Sequence, residues 1–212
     1  MYFVKTPVLI RKSFPQMIWN IPSEKKKVYL TFDDGPIPEI TPWVLNELKK
    51  HKAKATFFCV GENIEKHPEI FRQIISEGHS IGNHTFHHLN GWKTKNEKYF
   101  ANIKACHEII SKSAIYNPQS AMKLFRPPYG RIRPSQYSFL NQQYSIVMWD
   151  VLSGDFDKNI SKEKCLRNVL SKTRNGSIIV FHDSEKAFSR LEFVLPRVLE
   201  YFSGKGFSFL PL

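Results

Sequence analysis

The sequence predicts an α/β domain in which about seven parallel strands carry a site at their carboxyl ends. Strand-like and helix-like segments alternate along the chain, which is typical of a parallel sheet covered by helices. The 212 residues suit one such domain. Polar clusters follow the apolar runs, and parallel α/β folds build their sites there. Periodicity alone leaves a closed barrel and an open doubly wound sheet as alternatives.

The predicted strands are short apolar runs rich in β-branched and aromatic residues. The fourth run ends at Pro127 and Pro128, because the residue before a proline is restricted and proline donates no backbone hydrogen bond. The runs are VYLTF at 28–32, ATFFCV at 55–60, HSIGN at 79–83, AMKLF at 121–125, YSIVMW at 144–149, SIIVFH at 177–182 and FSFL at 207–210.

Five predicted helices lie between these strands. Thr41 is predicted as the N-cap of the first, with Pro42 at its first position, and this helix continues to about Lys50. The isoleucine and phenylalanine pattern over 64–75 predicts the second helix, which stops at Gly78. The remaining helices are predicted at 97–113, from the cap Ser161 onward, and at 191–202.

The charge balance of the chain favours an anionic partner. Lys and Arg number 31 against 19 Asp and Glu, for a formal net charge of +12. The basic residues are spread along the sequence and form no recognition stripe, so we expect no nucleic-acid binding. No run of 18 apolar residues is present, which argues against a membrane-spanning helix.

The cysteines and the N-terminal residues indicate the cellular compartment in which we expect the protein. Cys59, Cys106 and Cys165 are far apart and lack C-x-x-C spacing, which predicts buried free thiols. The apolar run at 8–10 is too short for a signal peptide, and Arg11 and Lys12 follow it. We therefore expect a cytoplasmic or membrane-peripheral protein, whose positive charge favours peripheral contact with an anionic membrane.

Two polar clusters indicate metal chemistry. In TFDDGP, at 31–36, Asp33 and Asp34 stand side by side after the first strand, where their repulsion calls for solvent or a cation between them. His84 and His88 are four residues apart, so on a helical turn both imidazoles face one metal ion. A carboxylate completes a three-ligand set with open positions for water and substrate, which is typical of a catalytic metal.

Five motifs, in chain order, resemble those of the polysaccharide deacetylases, the NodB-homology or carbohydrate esterase family 4 enzymes. The motifs are TFDDGP at 31–36, HSIGNHTFHH at 79–88, RPPYG at 126–130, WDVLSGDFD at 149–157 and IIVFHD at 178–183. The resemblance runs from about residue 27 to 212. It implies a distorted (β/α) barrel of about seven strands and a divalent metal, most often Zn²⁺, with Co²⁺, Ni²⁺ or Mn²⁺ as alternatives. The implied reaction removes acetyl groups from N-acetylated sugars.

The resemblance assigns the metal and base roles to three of the motifs. Asp33 resembles the general base, and Arg126 is similar to the arginine that holds the base carboxylate. Asp34, His84 and His88 resemble the metal ligands. An adjacent cation and an arginine suit a carboxylate that has to stay ionised to accept a proton.

The remaining roles concern the leaving group and the acyl group. His182 resembles the general acid, with Asp155 as its charge partner, and a nearby carboxylate favours the protonated imidazole. The resemblance implies that the backbone N–H of Tyr129 binds the oxyanion. Phe156 and Val180 would form an apolar wall beside the acetyl methyl.

Departures from the family pattern at three positions leave the substrate open. Leu152 and Phe156 stand where the family often has the first aspartate and the tryptophan of D-x-x-D-W, and Val180 stands where a leucine is usual. An alternative is therefore a deacylase of an O-acetyl ester or a lipid-linked formamido sugar. A non-catalytic carbohydrate-binding relative is a separate alternative, and it would require a missing catalytic group. His79 and His87 are predicted to lie outside the site.

We expect residues 27–212 to form the NodB-homology domain, with residues 1–26 as an N-terminal extension that packs on it. Phe14, Ile18 and Trp19 are candidates to cover one end of the barrel. We expect an acylated glycan as the substrate and a monomer as the oligomeric state.

Overall fold

The computed structural model describes residues 2–113 and 123–212. Its strands are β1 (Lys27–Asp33), β2 (Ala55–Cys59), β3 (Ser80–Asn83), β4 (Leu124–Phe125), β5 (Ser145–Ile146), β6 (Val151–Leu152), β7 (Ile178–His182) and β8 (Ser208–Phe209). Its α-helices are α1 (Val8–Ser13), α2 (Ile40–Lys50), α3 (Gly61–Lys66), α4 (Pro68–Ser76), α5 (Asn96–Ser113), α6 (Pro134–Leu140), α7 (Lys162–Lys172) and α8 (Glu185–Gly204). Short 3₁₀ turns occupy Gly91–Lys93 and Pro128–Gly130.

All pairs in the sheet are parallel, and the strand order is β5-β4-β3-β2-β1-β7-β6. The eighth strand, β8, pairs in parallel with the start of β1. Within the described residues the outer strands β5 and β6 do not pair with each other, so the sheet curls without closing. The predicted class, a distorted (β/α) barrel of about seven parallel strands, is confirmed.

Packing on the outer side of β1 sets the register that the site needs. Phe32 stacks between Phe57 and Phe181, with ring centroids 5.1 and 5.9 Å away, and all three side chains are buried. Each such burial contributes about 2–3 kcal/mol. In this register Asp33 lies directly beside His182 across the β1–β7 pair, so two predicted site residues meet at the strand ends.

The predicted strand at 144–149 is wrong in extent. Pairing with β4 ends after Ile146, and the chain then bonds to the N-terminus, with Met148 N–H donating to the carbonyl of Ile18. A separate strand, β6, pairs with β7 further on. A continuous apolar run does not reveal that its pairing partner changes. In the predicted strand at 121–125 only Leu124–Phe125 is a strand, and 121–122 lie outside the described residues.

The helix predicted over 64–75 is in fact two helices, α3 and α4. They break at His67 because Pro68 begins the second one and disfavours helical geometry in the residue before it. Thr41 is not an N-cap: α2 begins at Ile40, and Thr41 lies inside its first turn. The last helix begins at Glu185, six residues earlier than predicted, and α1 and α6 were not predicted.

The N-terminal segment, defined here as residues 2–21, covers the open side of the sheet. Leu152 N–H donates to the carbonyl of Val4, and Ile18 N–H donates to that of Ile146. The buried carboxylate of Asp150 accepts from Lys5 Nζ at 2.5 Å and lies 3.4 Å from Arg11 Nη1. These contacts attach the segment to both edges of the gap. The division at residues 26 and 27 stays a prediction.

Two further expectations concern burial. Cys59, Cys106 and Cys165 are buried and free, as predicted. Trp19 is buried, whereas Phe14 is 43% exposed and does not cover the barrel end as expected. None of the helices in the described residues has the length and apolar character needed to cross a bilayer.

Candidate active site

The predicted site residues converge at the carboxyl edge of the sheet. Asp33 and His182 are the last residues of β1 and β7. His84 directly follows β3, and Arg126 directly follows β4. Asp155 lies three residues beyond β6, not after the strand at 144–149. Parallel strands bring these ends to one rim, although the residues are spread over much of the chain.

Asp34, His84 and His88 form a cluster that can hold a metal ion. Their ligand atoms all lie within 4.8 Å of one another. Asp34 Oδ1 is 3.8 Å from His84 Nε2 and 3.3 Å from His88 Nε2. This oxygen is buried and has no hydrogen-bond partner among the described residues. An orphaned carboxylate oxygen facing two imidazoles fits a cation, since a buried polar atom without a partner is costly.

The protonation of His84 also fits a ligand role. Burial, together with the neighbouring His88, lowers the pKa of His84 well below its ordinary value, although Asp34 opposes the shift. Its Nδ1 lies 2.8 Å from the carbonyl oxygen of Arg126, which can only accept. Nδ1 therefore carries the proton, and Nε2 presents its lone pair toward Asp34.

The two histidines converge through a turn and not through the predicted helical turn. Thr85 and His88 have positive φ angles of 65° and 52°. Side-chain caps hold this conformation: Thr85 N–H donates to Asn83 Oδ1, and Leu89 N–H donates to Thr85 Oγ1. The four-residue spacing therefore indicates correctly that the two histidines lie together, but the helical turn predicted from it is wrong.

Arg126 holds the Asp33 carboxylate in a buried ion pair. Its guanidinium is fully buried and lies 2.7 Å from Asp33 Oδ1. The same group donates to Thr31 Oγ1 and to the carbonyl of Met148, and it sits 4.1 Å above the ring of Phe58. Because these contacts surround the guanidinium, it fixes the direction in which Asp33 faces the rim.

His182 and Asp155 form a second pair. Asp155 is fully buried and uses both oxygens on His182, with 2.8 Å to Nδ1 and 2.7 Å to the backbone N–H. Burial alone would lower the pKa of His182, but the charge and hydrogen bond of Asp155, together with Asp34 and Asp33, raise it to about 9. The imidazole is therefore protonated at neutral pH and can donate a proton.

Comparison with known proteins matches this arrangement. The model of the polysaccharide deacetylase family matches residues 20–143, more than half of the 212 residues. The chain belongs to the polysaccharide deacetylase family. A peptidoglycan-N-acetylglucosamine deacetylase of Bacillus cereus is 43% identical over 164 residues, which are 77% of this chain and 58% of that protein. The chain thus spans less than two thirds of that relative.

Two other relatives cover more of their own length. A chitooligosaccharide deacetylase of Azorhizobium caulinodans is 33% identical over 77% of this chain and 77% of its own. The crystal structure of the peptidoglycan N-acetylglucosamine deacetylase Bc1960 superposes with a TM-score of 0.86 at 36% identity, covering 98% of this chain and 95% of that one. This polysaccharide deacetylase fold therefore extends over nearly all of the chain.

The deacetylase-family site includes one residue without a predicted role, Asp183. Its buried carboxylate accepts from Gly35 N–H at 3.0 Å and from the Thr41 hydroxyl at 2.6 Å. Burial raises the pKa of Asp183 to about 8, although these hydrogen bonds oppose the shift. The contacts tie β7 to the loop that carries Asp34. The sequence indicates Asp183 by its position, since it is an acidic residue directly after His182, at a strand end where a carboxylate is shielded from water.

Replacing Gly35 by alanine is expected to lower the free energy of unfolding by about 1–3 kcal/mol, the usual cost of overpacking. A Cβ at Gly35 would overlap the carboxylate of Asp183 and push the Asp34 loop outward. Denaturant titration measures the loss. Gly204→Ala is the control, because a Cβ there meets no atom within 4 Å. Equal stability of both variants would contradict the packing argument.

The three residues predicted to face the substrate, Tyr129, Phe156 and Val180, lie at different places near the rim. Tyr129 has a positive φ of 61°, its side chain is 60% exposed, and its ring lies 4.6 Å from that of His88. The ring of Phe156 packs edge-on at 5.1 Å against His182. Val180 is buried in β7, two residues before His182 and on the same face of the strand. All three lie on or below the rim.

The N-terminal segment also reaches the rim, which the sequence did not indicate. The ring of Tyr2 packs 5.1 Å from that of Phe156, and its hydroxyl donates to Asp157 Oδ2 at 2.9 Å. His79 and His87 lie outside the site, as predicted. His79 Nδ1 accepts from Ala55 N–H, and His87 contacts Asn102.

Proposed function

We propose that the chain is a metal-dependent hydrolase that removes N-acetyl groups from an N-acetylhexosamine glycan, of the chito-oligosaccharide or peptidoglycan type. One observation carries the proposal: a buried Asp33–Arg126 pair, a buried Asp155–His182 pair and the Asp34 metal cluster share one rim. A base, an acid and a cation site are the parts that amide hydrolysis requires. The similar deacetylases of bacteria point to the acetylated glycan.

Asp34, His84 and His88 would hold the divalent cation. Two imidazole nitrogens and one carboxylate oxygen are a donor set typical of catalytic Zn²⁺, with Co²⁺, Ni²⁺ or Mn²⁺ as alternatives. When bound, such a cation polarises a carbonyl oxygen and lowers the pKa of a coordinated water. The neutral state of His84 keeps its lone pair available for this role.

The protein's own groups account for the proton transfers. Asp33, held by Arg126, accepts the proton of the attacking water. His182, kept protonated by Asp155, donates a proton to the departing amine, which is otherwise a poor leaving group. The backbone N–H of Tyr129, in its left-handed turn, is assigned to the oxyanion that develops on the carbonyl.

The acyl group is assigned to an apolar wall. The Phe156 ring borders His182, and Val180 lies on the same face of β7. A phenyl ring and a small aliphatic side chain suit a methyl group and offer no partner to a polar acyl chain. This favours acetyl over larger or charged acyl groups.

Chelation tests the proposal. We expect the purified chain to release acetate from chito-oligosaccharides or peptidoglycan fragments, to lose this activity after chelation, and to regain it when Zn²⁺ is added. Measuring acetate and formate separately on an N-acetyl, O-acetyl and N-formyl substrate panel distinguishes the alternative deacylases. Release of no acyl group from any panel member, with metal bound and the protein folded, would contradict the proposal.

A further inference from the structure

An apolar groove lies beside the rim, between the N-terminal segment and the open side of the sheet. Its cavity measures about 330 Å³. Trp92, Gly130 and Ile132 line it on the side of Tyr129, and Trp149 and Leu152 lie on the side of β6. The N-terminal segment supplies the rest of the lining, including Phe3 and Phe14.

Most of the polar side-chain groups that line the groove already have hydrogen-bond partners within the protein. The Thr6 hydroxyl donates to the carbonyl of Trp149 at 2.7 Å, and the Tyr2 hydroxyl donates to Asp157. The indole N–H groups of Trp19 and Trp92 donate to backbone carbonyls. A sugar that entered the groove would leave its hydroxyls without partners, whereas an alkyl chain would lose nothing.

Exposed apolar side chains concentrate on the same segment. Among the described residues eight large hydrophobic side chains are exposed, and four of them belong to the N-terminal segment. These four, named here the apolar face, are Phe3 (60% exposed), Val8 (56%), Leu9 (78%) and Phe14 (43%). A cluster of this kind next to an apolar groove indicates an interaction surface.

The charges near the apolar face indicate which kind of surface this face binds. Residues 1–23 contain Lys5, Arg11 and Lys12 and no acidic residue, within a chain of net charge +12. Lys5 and Arg11 are bound to Asp150, whereas Lys12 is exposed beside the apolar face. Across the groove the guanidinium of Arg131 lies 5.2 Å above Trp92. The apolar face is thus bordered by positive charge on both sides.

We propose that the apolar face docks on an anionic phospholipid bilayer, with the groove receiving an acyl chain. Apolar side chains bordered by cations are the features of peripheral proteins that lie in the interface of an anionic membrane. A second copy of the chain fits less well, because its face would bring the same positive charges together. This inference does not depend on the proposed deacetylase activity.

Vesicle co-sedimentation tests the docking. The full chain is expected to pellet with vesicles of anionic phospholipid, to remain in the supernatant with zwitterionic vesicles, and to be released by high salt. The double variant Leu9→Ser with Phe14→Ser should bind anionic vesicles at least about tenfold more weakly, since two large apolar side chains no longer insert. Lys12→Glu should weaken binding further.

Matched controls separate the surface from general effects. Tyr201→Ser removes an exposed aromatic side chain from α8, and Lys49→Glu reverses an exposed charge on α2; neither should alter vesicle binding. The Leu9 and Phe14 variant should keep the denaturant midpoint of the wild-type chain, which shows that the protein is folded whether or not it is a deacetylase. Failure to bind, binding unaffected by the variants, or a concentration-dependent dimer that these variants disrupt would each overturn the proposal.

Discussion

Replacing Asp33 by asparagine is expected to reduce acetate release by about 10²–10⁴-fold while the metal content stays unchanged. The amide keeps the shape of the carboxylate and the hydrogen bond from Arg126, but it cannot accept the proton of water. Asp34→Asn is instead expected to lower the metal content, because Asp34 supplies the orphaned oxygen of the metal cluster. Metal analysis after dialysis and acetate release on a soluble oligosaccharide distinguish the two variants.

Stability has to be measured alongside, because Asp33→Asn leaves the buried charge of Arg126 uncompensated. Breaking a buried ion pair in this way costs about 3–5 kcal/mol. Asp34 faces the imidazoles of His84 and His88, whose pKa values are lowered, and not a buried guanidinium, so Asp34→Asn should unfold at nearly the wild-type denaturant midpoint in the metal-free state. Equal loss of metal from both variants, with both still folded, would contradict the division of roles between the two aspartates.

Activity is expected to fall at basic pH as His182 loses its proton, and the pKa of this imidazole is raised to about 9 in the metal-free protein. Asp155→Asn removes the carboxylate that opposes burial, so the pKa of His182 should drop and the basic limb of the pH profile should move toward neutral pH. A cation on Asp34 cancels one contribution to the raised pKa, so the metal-loaded limb lies below that of the metal-free imidazole.

The profile of kcat/KM against pH measures this basic limb in the free enzyme. NMR titration measures the pKa of the His182 imidazole in the metal-free protein. His182→Asn should lower kcat by about 10²–10⁴-fold at every pH and abolish the limb. The control is His87→Asn, which replaces an exposed imidazole outside the site. A basic limb that stays in place in Asp155→Asn would overturn the assignment of His182 as the acid.

The same pKa shifts predict how stability depends on pH. His182 has a pKa raised above its ordinary 6.5, and Asp183 has one raised above its ordinary 3.8. Above neutral pH the folded state of the metal-free protein therefore binds more protons than the unfolded state, because the histidines whose pKa burial lowers, such as His79 and His84, are already mostly neutral in both states. Its free energy of unfolding should decrease between neutral pH and about pH 9 as His182 and Asp183 deprotonate, and denaturant titrations at pH 7 and pH 9 measure this decrease.

The motifs predicted most of the candidate site because each follows a strand, and parallel strands end at one edge. The order of motifs and strands therefore predicts that Asp33, Arg126 and His182 meet at this edge. Apolar runs such as 28–32 and 55–60 likewise predicted strands, since their length and composition suit a buried sheet. These features are local in sequence, and local physics determines them.

Other features depend on contacts between distant residues. The split of the 144–149 strand follows from pairing with the N-terminal segment, and the place of Tyr2 beside Phe156 follows from the same attachment. Asp183 became part of the site only because Gly35 and Thr41 surround its carboxylate. No periodicity in the sequence signals such long-range hydrogen bonds.

The sequence by itself determined the family, the alternation of strands and helices, and the kinds of side chain that the rim would hold. Tertiary structure alone decided that His84 and His88 converge through a left-handed turn, that Gly35 and Thr41 bind the buried carboxylate of Asp183, and that the N-terminal segment attaches to both edges of the open side of the sheet. The physical reason is that direction, burial and electrostatic environment are properties of the packed chain, and they arise only when distant segments exclude water together.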